Sequence, residues 1–363
     1  MTALGKEQMN RLRLIRTPHV GPVAYRQLLQ RFGSAARALE ALPDLAARGG
    51  GASRFRPADM RAVEAEAARV AQLGARYCFL GEADYPPLLA EASAAPPALI
   101  LRGDTGLAAR RCVAMVGARN ASAAANRFAR ELAHGLADAG LVVVSGLARG
   151  IDTASHNGAG PASTIAVIGS GIDVFFPPEN AALQEIIGRD GLLMTELPPG
   201  AEPLARHFPA RNRIIAWMSL GTVVVEAAPR SGSLLTARLA GEEGREVMAV
   251  PGFPLDPRAQ GCNSLIRDGA TLVQSVSDIV EAIGAIGDGV LRSPRRPFSG
   301  EPPADLGQSE REQVLGLMSL SPVAVDELVR QSGLPPALVQ TALLELEIAG
   351  RLQRHAGGRV SLA

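Results

Sequence analysis

Short apolar runs alternate with stretches of helical spacing through the middle of the chain. The apolar runs lack the period-two alternation of a half-exposed strand, which is typical of strands covered on both faces. They predict strands at Val113–Val116, Leu141–Val144, Thr164–Ile168, Leu192–Thr195, Thr222–Val225, Glu246–Val250 and Thr271–Val273. Helices between consecutive strands imply right-handed crossovers. The pattern therefore predicts an α/β domain with a doubly wound, mostly parallel sheet.

The two ends of the chain have different patterns. Residues 1–80 show helical spacing, and the turn His19–Pro22 resembles a helix-hairpin-helix turn, with an ordinary helix–helix turn as the alternative. Residues 287–307 are rich in proline, glycine and arginine, which predicts a linker. Residues 308–363 read as two helices followed by a hairpin, the order of a winged helix. We therefore expect a helical domain at 1–80, the sheet domain at 81–286, and a winged-helix domain after the linker.

The composition predicts a globular protein. Of its 363 residues, 47% are hydrophobic and 20% are charged. We find no apolar run long enough to span a membrane and no leader-like start, so we expect a cytoplasmic protein without membrane contact. Cys78, Cys112 and Cys262 are scattered and show no metal-ligand spacing, which favours buried reduced thiols.

The charges are distributed unevenly. The formal net charge is +1, but residues 1–80 hold 13 Lys or Arg against six Asp or Glu. Phosphate attraction and a solvated basic face explain that excess equally well. The second helix of the winged-helix segment carries Glu345 and Glu347 and no basic residue. Because acidic charge opposes phosphate binding, this segment is expected to contact protein rather than DNA.

Four strand ends carry unusual turns, and the first follows the strand Val113–Val116. Gly117 permits a tight turn and Ser122 is placed to cap the next helix. Arg119 and Asn120 lie between them, and free amides at a helix start attract anions. The alternative is an ordinary connection between a strand and a helix.

The second turn follows the strand Leu141–Val144. Gly146 and Gly150 flank a short turn that presents Arg149. Asp152 and His156 are four residues apart, on one face of the following helix. A catalytic Asp–His pair is conceivable, but a structural hydrogen bond or a half-buried histidine is the favoured interpretation.

The third turn is Gly169-Ser170-Gly171, followed by Asp173. It resembles a dinucleotide fingerprint, but the third glycine position is Val174 and no helix opens there, so we reject that assignment. A turn of this kind still allows a ligand to approach the backbone closely. Phe175 and Phe176 offer a stacking surface, although packing beneath the loop is the favoured use.

The fourth turn lies around the strand Thr222–Val225. Arg211, Asn212 and Arg213 are predicted at a helix start before the strand. Glu226 follows the strand. Its structural role would be to hold an arginine or to cap the turn Ser231–Ser233, and its catalytic role would be that of a general acid or base. The structural role is favoured.

Together the four turns supply arginines and helix starts rather than reactive groups. The sequence contains no Walker phosphate loop, no cluster of cysteine and histidine, and no nucleophile elbow. We therefore predict no catalytic residue, no metal site and no cofactor. Arginine binds phosphate in bidentate fashion and stacks on bases, so the inventory favours holding single-stranded nucleic acid.

These motifs resemble the DprA/Smf family of DNA-processing proteins, over about residues 80–275 and in the family's order. The matching segments are Val116–Arg119, Ser145–Asp152, Thr164–Gly169, Phe208–Ile215, Val225–Ala227, Ser231–Ala237 and Ala249–Gly252. The chain departs from the family's pattern at Ser155, before His156, and at Trp217-Met218. The latter puts the local packing in question more than the site.

The resemblance implies an extended Rossmann-like domain that binds single-stranded DNA without catalysis. It also implies a homodimer that protects incoming DNA during natural transformation and loads the RecA recombinase. The expected DNA-binding residues are Gly117, Arg119, Asn120, Gly146, Arg149, Ser170, Gly171, Arg211, Asn212, Arg213, Ser231, Gly232 and Ser233. The expected supporting residues are Asp152, His156, Asp173, Glu226 and Thr236.

Two other functions stay open at this point. Rossmann-like phosphoribohydrolases use an arginine and a glutamate beside a glycine-rich turn, and Glu226 with Arg119 or Arg211 would take those roles. Their expected glycine-rich run is reduced here to Gly221-Thr222 and Glu226. A transcription regulator acting through residues 308–363 is the third possibility, and the acidic helix weakens it.

Overall fold

The computed structural model describes residues 4–51, 55–287, 306–355 and 357–363. The chain forms two compact units, one made of Met1–Ala67 together with Ser293–Ala363, and the other of Ala68–Arg292. We call them the terminal unit and the sheet unit. Apart from its ends, the predicted linker lies outside the described residues.

The sheet unit contains nine strands and the helices that connect them. In chain order the strands are β1 (Arg76–Phe79), β2 (Ala98–Gly103), β3 (Cys112–Gly117), β4 (Val142–Ser145), β5 (Thr164–Val167), β6 (Leu192–Thr195), β7 (Gly221–Val225), β8 (Glu246–Ala249) and β9 (Thr271–Leu272). The helices are α4 (Met60–Gln72, which begins in the terminal unit), α5 (Pro87–Glu91), α6 (Ala123–Asp138), α7 (Ile151–Ala159), α8 (Ala181–Asp190), α9 (His207–Trp217), α10 (Gly232–Glu242), α11 (Gln260–Arg267) and α12 (Val276–Gly287).

The strand order is β1-β2-β6-β5-β4-β3-β7-β8-β9. Strands β3 to β9 run parallel, whereas β1 and β2 pair antiparallel at one edge. The predicted doubly wound sheet is confirmed. The sheet begins earlier than the predicted boundary at residue 80, because β1 pairs with β2. The chain order reverses between β3 and β7, which is where such sheets bind ligands, outside the carboxyl ends of the strands.

The buried runs explain why this sheet is covered on both faces. Alternate residues of a strand point to opposite faces, and in β3 Val113 joins the core beneath α6 and α12 while Ala114 joins the core beneath α9 and α10. Both side chains are fully buried. Strands with two buried faces carry no polar alternation, which accounts for the apolar runs in the sequence.

The terminal unit combines the two ends of the chain. Its helices are α1 (Lys6–Arg16), α2 (Pro22–Phe32), α3 (Ala35–Arg48), α13 (Gln308–Gly316), α14 (Val325–Ser332) and α15 (Pro336–Ile348). Its strands are β10 (Val323–Ala324), β11 (Leu352–His355) and β12 (Arg359–Leu362), which form a small antiparallel sheet. The predicted winged-helix order is present, and α15 packs against α2 and α3.

The acidic surface expected on α15 is absent. Glu345 and Glu347 are buried, with relative exposures of 0% and 8%. Arg311 Nε donates to Glu345 at 2.8 Å, and Arg354 Nε donates to Glu347 at 2.7 Å. Both carboxylates are therefore neutralised inside the unit, and the argument that they repel DNA at the surface was wrong.

Two predictions from composition have structural outcomes. All three cysteines are buried free thiols, as expected, and burial raises the pKa of Cys112 to about 12. Within the described residues, no helix is both long and apolar enough to cross a membrane.

Candidate nucleic-acid interface

A cavity of about 510 Å³ opens at the carboxyl ends of β3 and β7, at the point where the strand order reverses. Its walls come from three loops and three helices, and they include Gly117, Arg119, Asp152, Phe208, Arg211, Asn212, Arg230, Ser231, Gly232, Ser233 and Thr236. A smaller cavity of about 40 Å³ shares part of this wall and reaches Gly146, Arg149, Gly169, Ser170 and Phe176. Most of the predicted residues are thus brought together.

The loop after β3 presents an exposed arginine to the cavity. A side chain on Gly117 would lie 2.0 Å from the carbonyl oxygen of Val225, so the close approach of β3 and β7 requires glycine. Arg119 is exposed, and its guanidinium carbon lies 5.3 Å from the ring centroid of Phe208. Within the described residues Arg119 has no carboxylate partner. Its neighbour Asn120 is exposed but does not line either cavity.

Glu226 fastens this loop and does not line either cavity. Its carboxylate accepts hydrogen bonds from the Ser122 backbone N–H at 2.9 Å and the Ser122 hydroxyl at 2.6 Å. Its own carbonyl oxygen accepts from the Ala118 N–H at 2.8 Å, with Glu226 at φ +57°. The Ser122 hydroxyl also caps α6, as predicted. Glu226 therefore has a structural role, but its partner is Ser122 rather than an arginine or the Ser231–Ser233 turn.

The run Arg211-Asn212-Arg213 does not lie at a helix start. Helix α9 begins four residues earlier, at His207, so the backbone amides of the run belong to the helix interior. Residues two apart on a helix do not share a face. Arg211 and Asn212 line the larger cavity, whereas Arg213 points away from it. The expected convergence of the two arginines was wrong.

Arg213 is held in a separate cluster. Its guanidinium forms an ion pair with Glu196, donates to the Ala94 carbonyl oxygen at 2.9 Å, and lies 5.6 Å from the Trp217 ring centroid. Trp217 itself is buried and donates to the Leu239 carbonyl oxygen at 3.1 Å. These contacts make Arg213 part of the packing behind α9 rather than part of the cavity wall.

Arg211 is buried at the floor of both cavities. Its Nη1 donates to the Val167 carbonyl oxygen at 2.5 Å, and its Nε has no hydrogen-bond partner within the described residues. Burial lowers the pKa of Arg211 to about 10, with Asp152 opposing and Arg119 adding to that shift. The side chain stays charged at neutral pH. Its unsatisfied Nε–H favours the binding of a ligand that supplies a hydrogen-bond acceptor.

Gly146 leaves the space that this guanidinium occupies. A side chain there would lie 1.9 Å from Arg211 Nη1. Asp152 accepts from the backbone N–H groups of Gly146 at 3.1 Å and Ala148 at 3.3 Å, so it shapes the turn after β4. Burial raises the pKa of Asp152, and Arg211 opposes that shift.

Asp152 and His156 form no catalytic pair. His156 is buried, and its Nδ1 lies 2.7 Å from the Thr164 hydroxyl, which itself donates to the Val143 carbonyl oxygen. His156 must therefore donate from Nδ1, and burial lowers its pKa to about 3, first through desolvation and then through Arg211. The favoured structural interpretation is confirmed, with a fully buried rather than half-buried ring.

The start of α10 supplies the opposite wall of the larger cavity. The Ser231 hydroxyl lies 2.8 Å from that of Ser233 and caps the helix, and Thr236 lies buried one turn further. Unpaired amides at a helix start carry partial positive charge. Arg230 extends from this turn, exposed and at φ +66°. It was not among the predicted site residues, because only its place beside the cavity identifies it.

The turn after β5 contributes to the smaller cavity. Ser170 lines it, whereas the Gly171 N–H is used by the Ala201 carbonyl oxygen at 2.8 Å. A side chain on Gly171 would lie 2.7 Å from the backbone of the segment 198–201. Asp173 accepts from the Gly200 N–H at 2.7 Å and pairs with Arg69 at 3.2 Å. Gly171 and Asp173 therefore hold the loop in place.

Aromatic rings border the basic wall. Phe176 and Phe208 have ring centroids 5.7 Å apart, and Arg119 lies over the second ring. Phe175 and Phe176 are about two-fifths exposed, so the expected packing beneath the loop was wrong. The role of Phe208 was missed, although it stands next to the basic run in the sequence. Arg149, at the far side, is exposed and pairs weakly with Glu179 at 3.3 Å.

One group of side chains has the spacing of metal ligands, away from the cavity. Ligand atoms of Cys78, Glu82 and Asp84 lie within 4.8 Å of one another. Asp84 is paired with Arg76, and Glu82 accepts from the Phe79 N–H at 2.9 Å. Because both carboxylates already have partners in the chain, we assign no metal to this group.

The sheet unit is thus a doubly wound α/β domain with an arginine-lined cavity at its carboxyl edge, the class of fold that binds anionic ligands at this place. The model of the family described as DNA recombination-mediator protein A matches residues 76–284. A DprA-like N-terminal HHH domain matches residues 5–68, and a DprA winged helix domain matches residues 299–358. The chain belongs to this DprA/Smf family of DNA-processing proteins, as the motifs predicted.

Individual relatives agree with this assignment. The chain is 48% identical to DNA processing protein DprA of Streptococcus pneumoniae over 198 residues, covering 54% of this chain and 70% of that protein. It is 38% identical to protein Smf of Escherichia coli, covering 77% and 75% of the two chains. The crystal structure of the S. pneumoniae protein matches with a TM-score of 0.64 and 36% identity, covering 77% and 98%.

A structure of DNA processing protein A from Helicobacter pylori also matches. The TM-score is 0.53 with 28% identity, covering 58% of this chain and 96% of that one. That structure concerns the single-stranded DNA binding mode of the H. pylori protein. The matches support a DNA-processing role for the present chain.

Proposed function

We propose that this protein binds single-stranded DNA, without sequence preference and without catalysis, along the carboxyl edge of the sheet unit. The observation that carries the proposal is the pairing state of the cavity's arginines. Arg119 and Arg230 are exposed, and neither has a carboxylate partner within the described residues. Both line a cavity of about 510 Å³ together with the start of α10. Unpaired guanidinium groups and helix-start amides are the donors that phosphate accepts.

The aromatic rings beside the arginines are placed to stack on the bases, while the arginines bind the phosphates. Phe176 and Phe208 offer partly exposed faces next to Arg119. Base stacking on aromatic rings tolerates every base, because each base has a π-face. A groove that combines stacking with phosphate contacts thus favours a single strand over a duplex, whose bases are already stacked.

The cavity favours binding over bond cleavage. Glu226, the residue that a phosphoribohydrolase would use, has its carboxylate bound to Ser122 and does not line either cavity. His156 is buried behind the turn with its Nδ1 bound to Thr164. Incubation with nucleoside monophosphates should therefore release no free base, and release that depends on Glu226 would contradict this part of the proposal.

Membership of the family supports a wider role. We propose that the bound strand is protected during DNA uptake in natural transformation and passed to the RecA recombinase, and that the protein acts as a homodimer. We also propose the division into a helical domain, a sheet domain, a linker over 287–307 and a winged-helix domain. RecA-dependent strand exchange on DNA coated with a single-strand-binding protein tests the transfer step, and Arg119→Ala should abolish the stimulation.

Fluorescence anisotropy with oligothymidine tests the binding itself. Arg119→Ala removes a charge-assisted contact, so affinity should fall by about 1.5–3 kcal/mol, or roughly 10- to 100-fold. The logarithm of the wild-type association constant should fall with that of the salt concentration, with a slope of about −0.7 for each phosphate contacted.

Arg189→Ala is the matched control. Arg189 is equally an exposed arginine, but it lies at the end of α8, before β6, and so at the amino edge of the sheet. Its replacement should leave affinity unchanged. Equal losses in the two variants, or affinity that is independent of salt, would contradict the proposed interface.

A further inference from the structure

The smaller cavity at the sheet edge has three arginines in its wall. Arg119, Arg149 and Arg211 line it, and in the described part of the chain none of the residues that line it is acidic. Arg119 and Arg211 also line the larger cavity, whereas Arg149 lines the smaller one alone. Three guanidinium groups around one small space, with no carboxylate in its wall, indicate a site for an anion of high charge.

Carboxylates near this cavity offset only part of that charge. Asp152 lines the larger cavity and accepts from the backbone N–H groups of Gly146 and Ala148, so its carboxylate is engaged with the turn. Glu179 lies 3.3 Å from Arg149, but more than half of each side chain is exposed, so this ion pair is weak. A phosphate group can therefore replace Glu179 as the partner of Arg149.

The buried arginine of this wall has a donor that the chain leaves unused. Arg211 is 5% exposed, and its Nε has no hydrogen-bond partner among the described residues. Burial lowers the pKa of Arg211, and the like charge of Arg119 lowers it further. A buried cation that is repelled by a second cation gains most from an anion that contacts both of them.

The turn after β5 adds neutral donors to the same wall. Gly169 and Ser170 are both buried, and both line the smaller cavity. Neither backbone N–H has a hydrogen-bond partner within the residues that the structure describes. Consecutive backbone amides without partners are donors that phosphate oxygens accept. The cavity thus combines charged and neutral donors.

The size of the smaller cavity suits one phosphate group rather than a nucleoside. Its volume of about 40 Å³ has room for about three or four water molecules. A terminal phosphate group has three unesterified oxygens and a charge of about −1.5 to −2 at pH 7. An internal phosphodiester has fewer free oxygens, less charge, and a nucleoside on either side. Size and charge therefore both favour the end of a strand over its interior.

We propose that the smaller cavity binds the terminal phosphate of a DNA strand, while the larger cavity holds the adjoining nucleotides. The ligand class is a phosphomonoester, and both a 5′ end and a 3′ end can supply it. This inference rests on the proposed function, because it uses the same edge of the sheet. Arg149 is the residue that determines the preference for an end, since it lines the smaller cavity alone.

Oligothymidines that differ only at one end test the proposal with the wild-type protein. One set carries a hydroxyl, a phosphate or a methyl phosphate at the 5′ end, and a second set carries the same groups at the 3′ end, with the fluorophore at the opposite end. The methyl ester keeps one negative charge but blocks one terminal oxygen. Anisotropy should show roughly tenfold tighter binding for a phosphate at one of the two ends, and at most about twofold for the methyl phosphate.

Two arginine variants locate the effect. Arg149→Ala should reduce the gain from the terminal phosphate from roughly tenfold to about twofold, because this residue lines only the smaller cavity. Arg230→Ala is the matched control, since Arg230 is equally exposed but lines only the larger cavity. It should weaken the binding of every strand by the same factor and leave the gain from the phosphate unchanged.

Three results would overturn the proposal. They are equal affinities of the hydroxyl and phosphate strands at both ends, a methyl phosphate that binds as tightly as the phosphate, and a gain that Arg149→Ala leaves intact. The hydroxyl-ended strand reports the proposed function by itself, so the two failures are distinguishable. If that strand does not bind, titration calorimetry with thymidine monophosphate and thymidine still tests the cavity. Only the nucleotide should bind, and equal behaviour of the two would contradict the terminal-phosphate site.

Discussion

The winged-helix segment of the terminal unit and the cavity of the sheet unit use their arginines differently. In the terminal unit, Arg311 and Arg354 are largely buried and paired with glutamates. In the sheet unit, Arg119 and Arg230 are exposed beside an open cavity, and neither has a carboxylate partner within the described residues. Arg311 and Arg354 therefore neutralise buried carboxylates within the terminal unit, whereas Arg119 and Arg230 are available to a ligand.

This difference shows that the count of charges is a poor guide to an anion site. Residues 1–80 hold 13 basic and six acidic side chains, whereas residues 111–285 hold 14 basic and 17 acidic ones. The open cavity nevertheless lies in the second group. Topology explains this, because parallel strands collect helix starts at one edge and leave their amides unpaired.

The largest expected effect concerns the buried pair of the terminal unit. Arg311→Ala leaves the fully buried Glu345 carboxylate without its partner, which typically costs about 3–5 kcal/mol of unfolding free energy. Hydrogen exchange followed by mass spectrometry should show the loss in residues 306–363 but not in the sheet unit. Oligothymidine affinity should be unchanged. Arg330→Ala, which breaks an exposed pair with Glu327, should leave exchange unaltered. A loss of exchange protection confined to the sheet unit would contradict this prediction.

Acid should weaken the sheet unit through His156. Its pKa is lowered from 6.5 to about 3 in the folded protein, so the unfolded chain binds a proton that the native state does not. Stability is therefore retained above about pH 6.5 and lost as the pH falls toward 3, by about 2 kcal/mol between pH 6.5 and 4.5. Urea denaturation at several pH values measures this loss.

The control separates His156 from the other titrating groups. His156→Asn keeps a donor for Thr164 and should flatten the pH dependence over this range. His134→Asn removes an exposed histidine and should not alter it. An unchanged pH profile in His156→Asn would show that the ring is not held neutral by its surroundings.

Gly146→Ala tests whether Arg211 must occupy its observed position. The added methyl group would meet Nη1 of the buried Arg211 guanidinium at 1.9 Å, so we expect that side chain to be displaced from the Val167 carbonyl oxygen. Oligothymidine affinity should fall by roughly tenfold, about 1.4 kcal/mol. Gly284→Ala, where no atom lies within 4 Å, is the control and should bind normally. Unimpaired binding by Gly146→Ala would show that Arg211 does not contribute to DNA binding from its observed position.

The smallest expected effect concerns Arg230. It is exposed and lines the cavity, so Arg230→Ala should weaken oligothymidine binding by only about threefold. The salt dependence of binding should become shallower, because one phosphate contact is lost. Arg238→Ala on the same helical connection is the control, since that arginine pairs with Glu242. A loss as large as that of Arg119→Ala would place the main phosphate contact at the start of α10 instead.

The sequence by itself determined the fold class and predicted the turns that line the cavities. Buried parallel strands are apolar throughout, and the turns that follow them are polar. Strands such as Thr222–Val225 and turns such as Gly169–Gly171 can therefore be recognised from the sequence alone. The family motifs fixed the same turns residue by residue. The structural role of Glu226 was also foreseen, although not its partner Ser122.

Only the tertiary structure decided which charges are available. Arg211 and Arg213 stand two positions apart, yet one lines the cavity and the other is bound to Glu196, because α9 begins at His207 and turns them to different sides. Glu345 and Glu347 read as surface charge until Arg311 and Arg354 are found beside them. Whether a charge faces solvent depends on partners that are distant in the chain, and local patterns do not record those partners.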